Sequence, residues 1–191
     1  MALHAPISSC DLSGYSSLAA ALPPAPGSIP GVFRLPQTIY NKGSSGRPLA
    51  VPIRLDLKCQ GGAGSGVAMR DLCARSVQGL ITVLQGGEDL VARMVPGGRI
   101  TFRILWPGYS HLPSTYSIDI SADPSMSLAR LGQTIAQAFA RFIEAYRHTP
   151  SGHPQFSVAL GGIRLEHLFL LSIQNTCDGN WQADVVVDMR A

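Results

Sequence analysis

Charge is what this sequence has least of. Only 14% of its 191 residues are Asp, Glu, Lys or Arg, and the net charge of +3 comes from 13 arginines and 2 lysines against 12 acids. The arginines stand singly along the chain, so no basic stripe tracks a phosphate backbone, and neither a ring-stacking aromatic box nor a zinc-knuckle spacing accompanies them. Nucleic acid is therefore not an expected partner. Cysteine is sparse as well: Cys10, Cys59, Cys73 and Cys177 lie far apart, without metal-ligand spacing and without the density of a disulfide framework. Idle or buried thiols, and no metal, are expected. Long apolar runs are missing too. The longest, Leu168 to Ile173, contains Ser172 and falls well short of the ~20 residues that cross a bilayer. The start of the chain has no basic stretch followed by a sustained apolar core, since Leu18 to Leu22 is brief and runs into prolines. A soluble, cytoplasmic protein without a membrane segment is expected, the nucleus being the alternative compartment.

What the chain does have is apolar mass, 46% of its residues, enough for one domain with a sizeable core. The strongest periodicity runs from Asp123 to His148. Leu128, Leu131, Ile135, Ala138, Phe139, Phe142, Ile143 and Tyr146 recur at spacings of three and four, while Arg130, Gln133, Gln137, Arg141, Glu144 and Arg147 take the other side. Asp123 and Pro124 read as an N-cap and a first-turn proline, and Thr149-Pro150 as a stop. Such a stripe has to be laid on something, and alternating strand-like segments stand on both sides of it. Val51 to Leu57, Arg99 to Trp106 and Tyr116 to Ile120 alternate; Leu165 to Gln174 and Trp181 to Met189 flank an Asp178-Gly179 hairpin turn, with Leu171 and Ile173 facing the helix beside Trp181, Ala183, Val185 and Val187. Gly31 to Tyr40, broken by Pro36, reads as an edge strand. Short helices are expected over Val67 to Arg75 and Glu88 to Met94, with Gln78 to Gln85 either a strand or more helix. The fold class that follows is α+β: a mainly antiparallel β-sheet with one long helix, about 123–148, on one face and one or two short helices. Residues 1–30, rich in Ala, Ser and Pro, form an arm to a single 31–191 domain.

The glycine cluster Gly61, Gly62, Gly64, Ser65 and Gly66 follows a strand and precedes a helix, the setting in which backbone N–H groups cradle a phosphate. Gly61 and Gly66 have P-loop separation, but Val67 and Ala68 stand where that motif carries Lys and Ser or Thr. A dinucleotide fingerprint fails at the same place, because Val67 occupies the third glycine position. A chain-turning loop is the simpler reading. Trp106, Tyr109, His111 and Tyr116 gather around the Trp106-Pro107-Gly108-Tyr109 corner, which either staples a loop to the core or presents a binding patch. Stapling is favoured, because Trp106 continues the inward register of its strand. His148 and His153 bracket a turn without a further acidic ligand nearby. Asp184 and Asp188 share a strand face, with Asp178 in the turn, and solvation of the outer face accounts for them. No catalytic residue is assigned and no cofactor is implied.

The strings ITFRILWPGY at 100–109, LARLGQTIAQAFARFIE at 128–144 and LFLLSIQNTCDGNWQ at 168–182 carry a resemblance. Over roughly Gly66 to Met189 the chain resembles an uncharacterised family of small proteins of mushroom-type fungi, with the WPGY corner its most specific feature. The resemblance implies a fungal, non-secreted α+β domain and transfers no catalytic residue.

The expected function is a non-enzymatic protein-interaction or structural module. It is expected to self-associate if the unpaired backbone of Gly31 to Tyr40 adds to the sheet of another copy. The alternative is a small-molecule- or nucleotide-binding protein, or an enzyme, with a pocket near the 61–66 glycine loop or the 106–116 aromatic loop.

Overall fold

The computed structural model describes residues 30–40, 51–56, 58, 66–95, 97–109, 111–112, 115–119, 123–177 and 179–191. The N-terminal arm, the Asn41–Pro48 loop, Gly61 to Ser65, Cys10, Cys59 and Asp178 lie outside the described residues. Among the described residues seven strands make one sheet: β1 (Val32–Arg34), β2 (Ile53–Arg54), β3 (Val67–Ala68), β4 (Arg99–Arg103), β5 (Thr115–Asp119), β6 (Leu168–Cys177) and β7 (Asn180–Asp188). Among the described residues three α-helices accompany it: α1 (Met69–Ala74), α2 (Val77–Val83) and α3 (Leu128–Tyr146). The order is β2-β6-β7-β4-β5, with β3 also on β6 and β1 also on β7. Every pairing is antiparallel except β4 with β7. The α+β architecture expected from the hydrophobic pattern is the architecture of the protein.

The long helix is shorter than the 123–148 expected from its cap and stop signals, spanning the apolar positions Leu128 to Tyr146, and its start is moved. Ser127, not Asp123, is the N-cap, its hydroxyl accepting from Arg130 N at 3.2 Å. The next two free amides of the first turn, Leu128 N and Ala129 N, donate to Asp89 O at 2.9 Å and Gly87 O at 3.0 Å. Asp123 closes a separate turn ahead of the helix, accepting from Met126 N at 3.0 Å. This arrangement also explains why Glu88 to Met94 is not an α-helix. The Asp89 carbonyl and that of Gly87 just before it cap α3, and the segment makes a bridge from Leu90 to Ser127 and a single 3-10 turn at Val91–Arg93. Val67 pairs with Leu170 as strand before α1 begins, and Ser76 caps α2, settling Gln78 to Val83 as helix.

The stripe of α3 is sealed on the sheet. Leu131, Ile135 and Phe139 are each 0% exposed. They lie in one core with Ile100, Phe102, Ile104 and Trp106 from the β4 side and with Trp181, Val185 and Val187 of β7. Burial of each large side chain contributes roughly 1.5–3 kcal/mol. In the β6–β7 hairpin, Leu168 and Leu170 oppose Val187 and Val185, then a register shift before Ser172 changes parity, and Ile173 opposes Ala183. The expected inward pair of Leu171 and Ile173 is therefore half right: the bulge turns Leu171 off the core face and brings Leu170 in its place. The Val51 to Leu57 strand contracts to β2 plus one bond from Leu55 N to Leu171 O at 2.9 Å. The rest of that β6 edge is taken by β3, and the chain departs from the sheet to meet α2 through Lys58 N to Val83 O and Gln85 N to Asp56 O, both 2.9 Å.

At Gly132 α3 lies close on Leu55 and Leu72 beneath it. A Cβ there would stand 2.7 Å from Leu55 Cδ2 and 3.5 Å from Leu72 Cδ2, both on fully enclosed side chains. Adding a branched side chain overpacks a filled core. Gly132→Val is expected to lower stability by roughly 1–3 kcal/mol, read as a reduced urea midpoint at unchanged slope; an unchanged midpoint would contradict this packing.

Candidate functional site

The aromatic corner grows directly out of β4. Alternation carries Ile100, Phe102, Ile104 and Trp106 to the core side, and Gly108, at φ +82°, turns the chain back. A side chain at Gly108 would collide with Ser151 Oγ and His153 N, while Gly108 O accepts from Gly152 N at 3.0 Å. Trp106 stacks on Phe142 at 5.4 Å, and Tyr109 meets the same ring edge-on at 6.0 Å. Both polar tips are used: Trp106 Nε1 donates to Phe156 O at 2.7 Å, and Tyr109 OH donates to Thr149 O at 3.1 Å while accepting from Val158 N at 3.2 Å. Each of these two side chains is 1% exposed. The corner ties the loop after α3 to the sheet, the stapling role that its register suggests.

The four residues grouped around this corner are thus separated by the fold. Trp106 and Tyr109 are interior, His111 is exposed, and Tyr116 is half-buried on β5 with the Arg141 guanidinium 5.6 Å from its ring centre. Burial pushes the Tyr116 phenol above its usual value, against a smaller opposite pull from Arg141. It stays protonated at neutral pH. Of the glycine loop, Gly61, Gly62, Gly64 and Ser65 lie outside the described residues. Gly66 has φ +71°, and a Cβ on it would meet Leu171 Cδ2 at 2.8 Å and Leu170 O at 2.9 Å. Close approach to β6 accounts for that glycine. Two strand residues separate it from α1, whereas a phosphate cradle needs the helix to open straight from the loop.

The carboxylates are held one by one. Asp184 pairs with Arg34, and Asp188 with Arg190 at 2.7 Å. Hydrogen bonding from Arg190 holds the Asp188 carboxyl down at about 2, so this pair persists from neutral pH until acid approaches that value. His153 packs against Phe156 at 6.5 Å between ring centres, and its backbone N–H donates to Ser151 Oγ at 3.0 Å. Among the described residues no three of His, Cys, Asp and Glu gather as a metal site would require, and no helix is long and apolar enough to cross a membrane. Cys73 and Cys177 are free thiols, and burial pushes the former up.

Several buried polar side chains escaped sequence reasoning. His167, 4% exposed, accepts from Arg164 N at Nδ1 (3.1 Å) and closes the turn leading into β6. Gln37 Nε2 donates to Ala183 O at 2.7 Å, and Gln182 both accepts from Tyr40 N at 2.7 Å and donates to Thr38 O at 3.0 Å. Arg103 bonds Asn180 at 2.6 Å and lies 3.8 Å from the centre of the Tyr40 ring. These bonds strap residues 37–40 across β7. Their only trace in the sequence is the even-numbered polar positions of β7, which alternation assigns to solvent. No family model, no curated protein and no solved structure matches the chain.

Tyr109→Phe removes two hydrogen bonds and leaves the buried Val158 amide without its acceptor. A loss of roughly 1–3 kcal/mol is expected by chemical denaturation. His111→Ala, on the surface, is expected to stay within about 0.5 kcal/mol of the parent. Equal effects from the two would contradict the stapling role.

Proposed function

We propose that this chain is a non-enzymatic protein-interaction module, a scaffold that presents backbone edges to another polypeptide. The observation carrying this reading is the use made of its reactive side chains. Tyr109, Trp106, His167, Asp184 and Asp188 are each committed to a bond that holds the fold. They sit at separate places rather than converging on one point, as groups sharing a reaction must. Among the described residues, sheet edge and a few exposed apolar side chains, Ile39, Val51, Leu160 and Met189, are available for recognition. Leu160, 80% exposed, stands in a tight turn closed by Gly162 N to Ala159 O at 2.8 Å and Ile163 N to Ser157 O at 2.7 Å. A rigid apolar tip loses little conformational freedom on docking. A cytoplasmic setting goes with the reading, since Cys73 and Cys177 are unpaired.

A thermal-shift screen of the full chain against nucleotides, inorganic phosphate and a set of small metabolites separates this reading from the small-molecule alternative. A flat response, within about 1 °C at millimolar ligand, is expected, because only a ligand favouring the native state raises the midpoint. Stabilisation by nucleotide or phosphate that vanishes in Gly64→Leu would overturn the proposal in favour of a pocket at the glycine loop.

A further inference from the structure

We infer that residues 38–40 are a strap that lifts by itself while the sheet stays folded, pivoting at Gln37, and that the Cys177 thiol is covered and uncovered as it moves. Strand pairing of this segment with β7 ends at Arg34, and one more backbone bond follows, Leu35 N to Val185 O at 2.8 Å. Pro36 brings no N–H, and the next amide, Gln37 N, turns back to Leu35 O at 3.0 Å instead of reaching across. The backbone ladder stops there. Beyond it, the hydrogen bonds that hold the strap run through side chains. Gln37 Nε2 donates to Ala183 O, the Gln182 amide takes both Thr38 O and Tyr40 N, and Tyr40 O accepts from Cys177 Sγ at 3.7 Å. The Tyr40 ring completes the set by lying against the Arg103 guanidinium.

How readily a segment opens depends on the apolar surface it uncovers and on the bonds it gives up. The surface is small here. Leu35 and Gln37, 3% and 5% exposed, stay fixed at the root, whereas Thr38 and Ile39 are exposed and Tyr40 is half-buried, so lifting them leaves the apolar core closed. Cys177 is 2% exposed but stands outside that core; its polar neighbours are Tyr40 O and the Asn180 amide, 3.8 Å from the sulfur. The bonds are concentrated as well. Two of them share the Gln182 side chain, so they are lost in one step, and water takes over the freed groups of an exposed segment. Lifting therefore releases a thiol together with an amide that had both donated to and accepted from an extended backbone. This motion is independent of what the chain binds.

Iodoacetamide labelling of the native full chain at about pH 8, from zero to about 2 M urea and read for each cysteine by peptide mass spectrometry, tests it. Cys177 is expected to react without urea, more slowly than in the unfolded chain, and to speed up less than about threefold per molar, because the slope scales with the surface exposed. Labelling through unfolding of the whole chain would rise roughly 5- to 150-fold per molar. Gln182→Ala, which removes both shared bonds, is expected to raise the Cys177 rate about tenfold or more and to leave the Cys73 rate where it was. If that variant does not fold, the urea slope of the native chain decides. A steep slope, a Cys177 as fast as in the unfolded chain, no reaction without urea, or equal Cys177 rates in Gln182→Ala and the parent overturns the inference.

Discussion

The structure depends on one contact: the apolar side of α3 pressed against the core side of the sheet. Phe139 and Phe142 sit at its centre, the first edge-on to Phe102 at 6.0 Å and the second stacked beneath Trp106. Because Trp106 and Tyr109 both pack on Phe142, the position of the 104–109 corner follows from the position of the helix. The loop after α3 follows in turn, since its Thr149, Phe156 and Val158 backbone groups bond to those two side chains. An aromatic ring on a helix therefore orders about ten residues of irregular chain that has no ladder of its own.

The other end of α3 is governed by hydrogen bonding rather than burial. A helix leaves its first amides without partners, and enclosed amides cannot rely on water. Here three acceptors meet them: the Ser127 hydroxyl and the Asp89 and Gly87 carbonyls. The consequence reaches back along the chain: with the Gly87 and Asp89 carbonyls turned toward α3, the segment that follows closes only a 3-10 turn at Val91–Arg93. It also removes the start of α3 as an anion site, since the amides that would receive an anion are occupied.

Both ends bear on what was legible in the sequence. The helix, the β4 and β5 strands and the β6–β7 hairpin were readable because their patterns are long and periodic, and burial of a regular face is what periodicity records. The Trp106 register was readable for the same reason. The helix start was misplaced because Asp123-Pro124 and Ser127 are both acceptable caps locally; the choice is made by carbonyls some forty residues earlier. The parity change at Leu171 was invisible because a bulge leaves the composition of an apolar run unaltered. The Val51 to Leu57 strand was overextended because alternation does not reveal that β3 competes for the same edge. The polar straps of Gln37 and Gln182 were hidden by the convention that polar residues on an open face point to water.

That last case bears on function. A sheet edge can be covered by a strand, which satisfies all its backbone groups, or by side chains, which satisfy a chosen few. β7 uses both: β4 and β1 pair with its ends, and between them Gln37 reaches Ala183 O. A single residue thus closes the gap where the strand pairing of β1 stops, and it does so because Pro36 has already turned the chain out of the ladder. β1 is left as a short strand fixed on one side, ending where its own chain leaves the sheet. Among the described residues no strand lies on its other side.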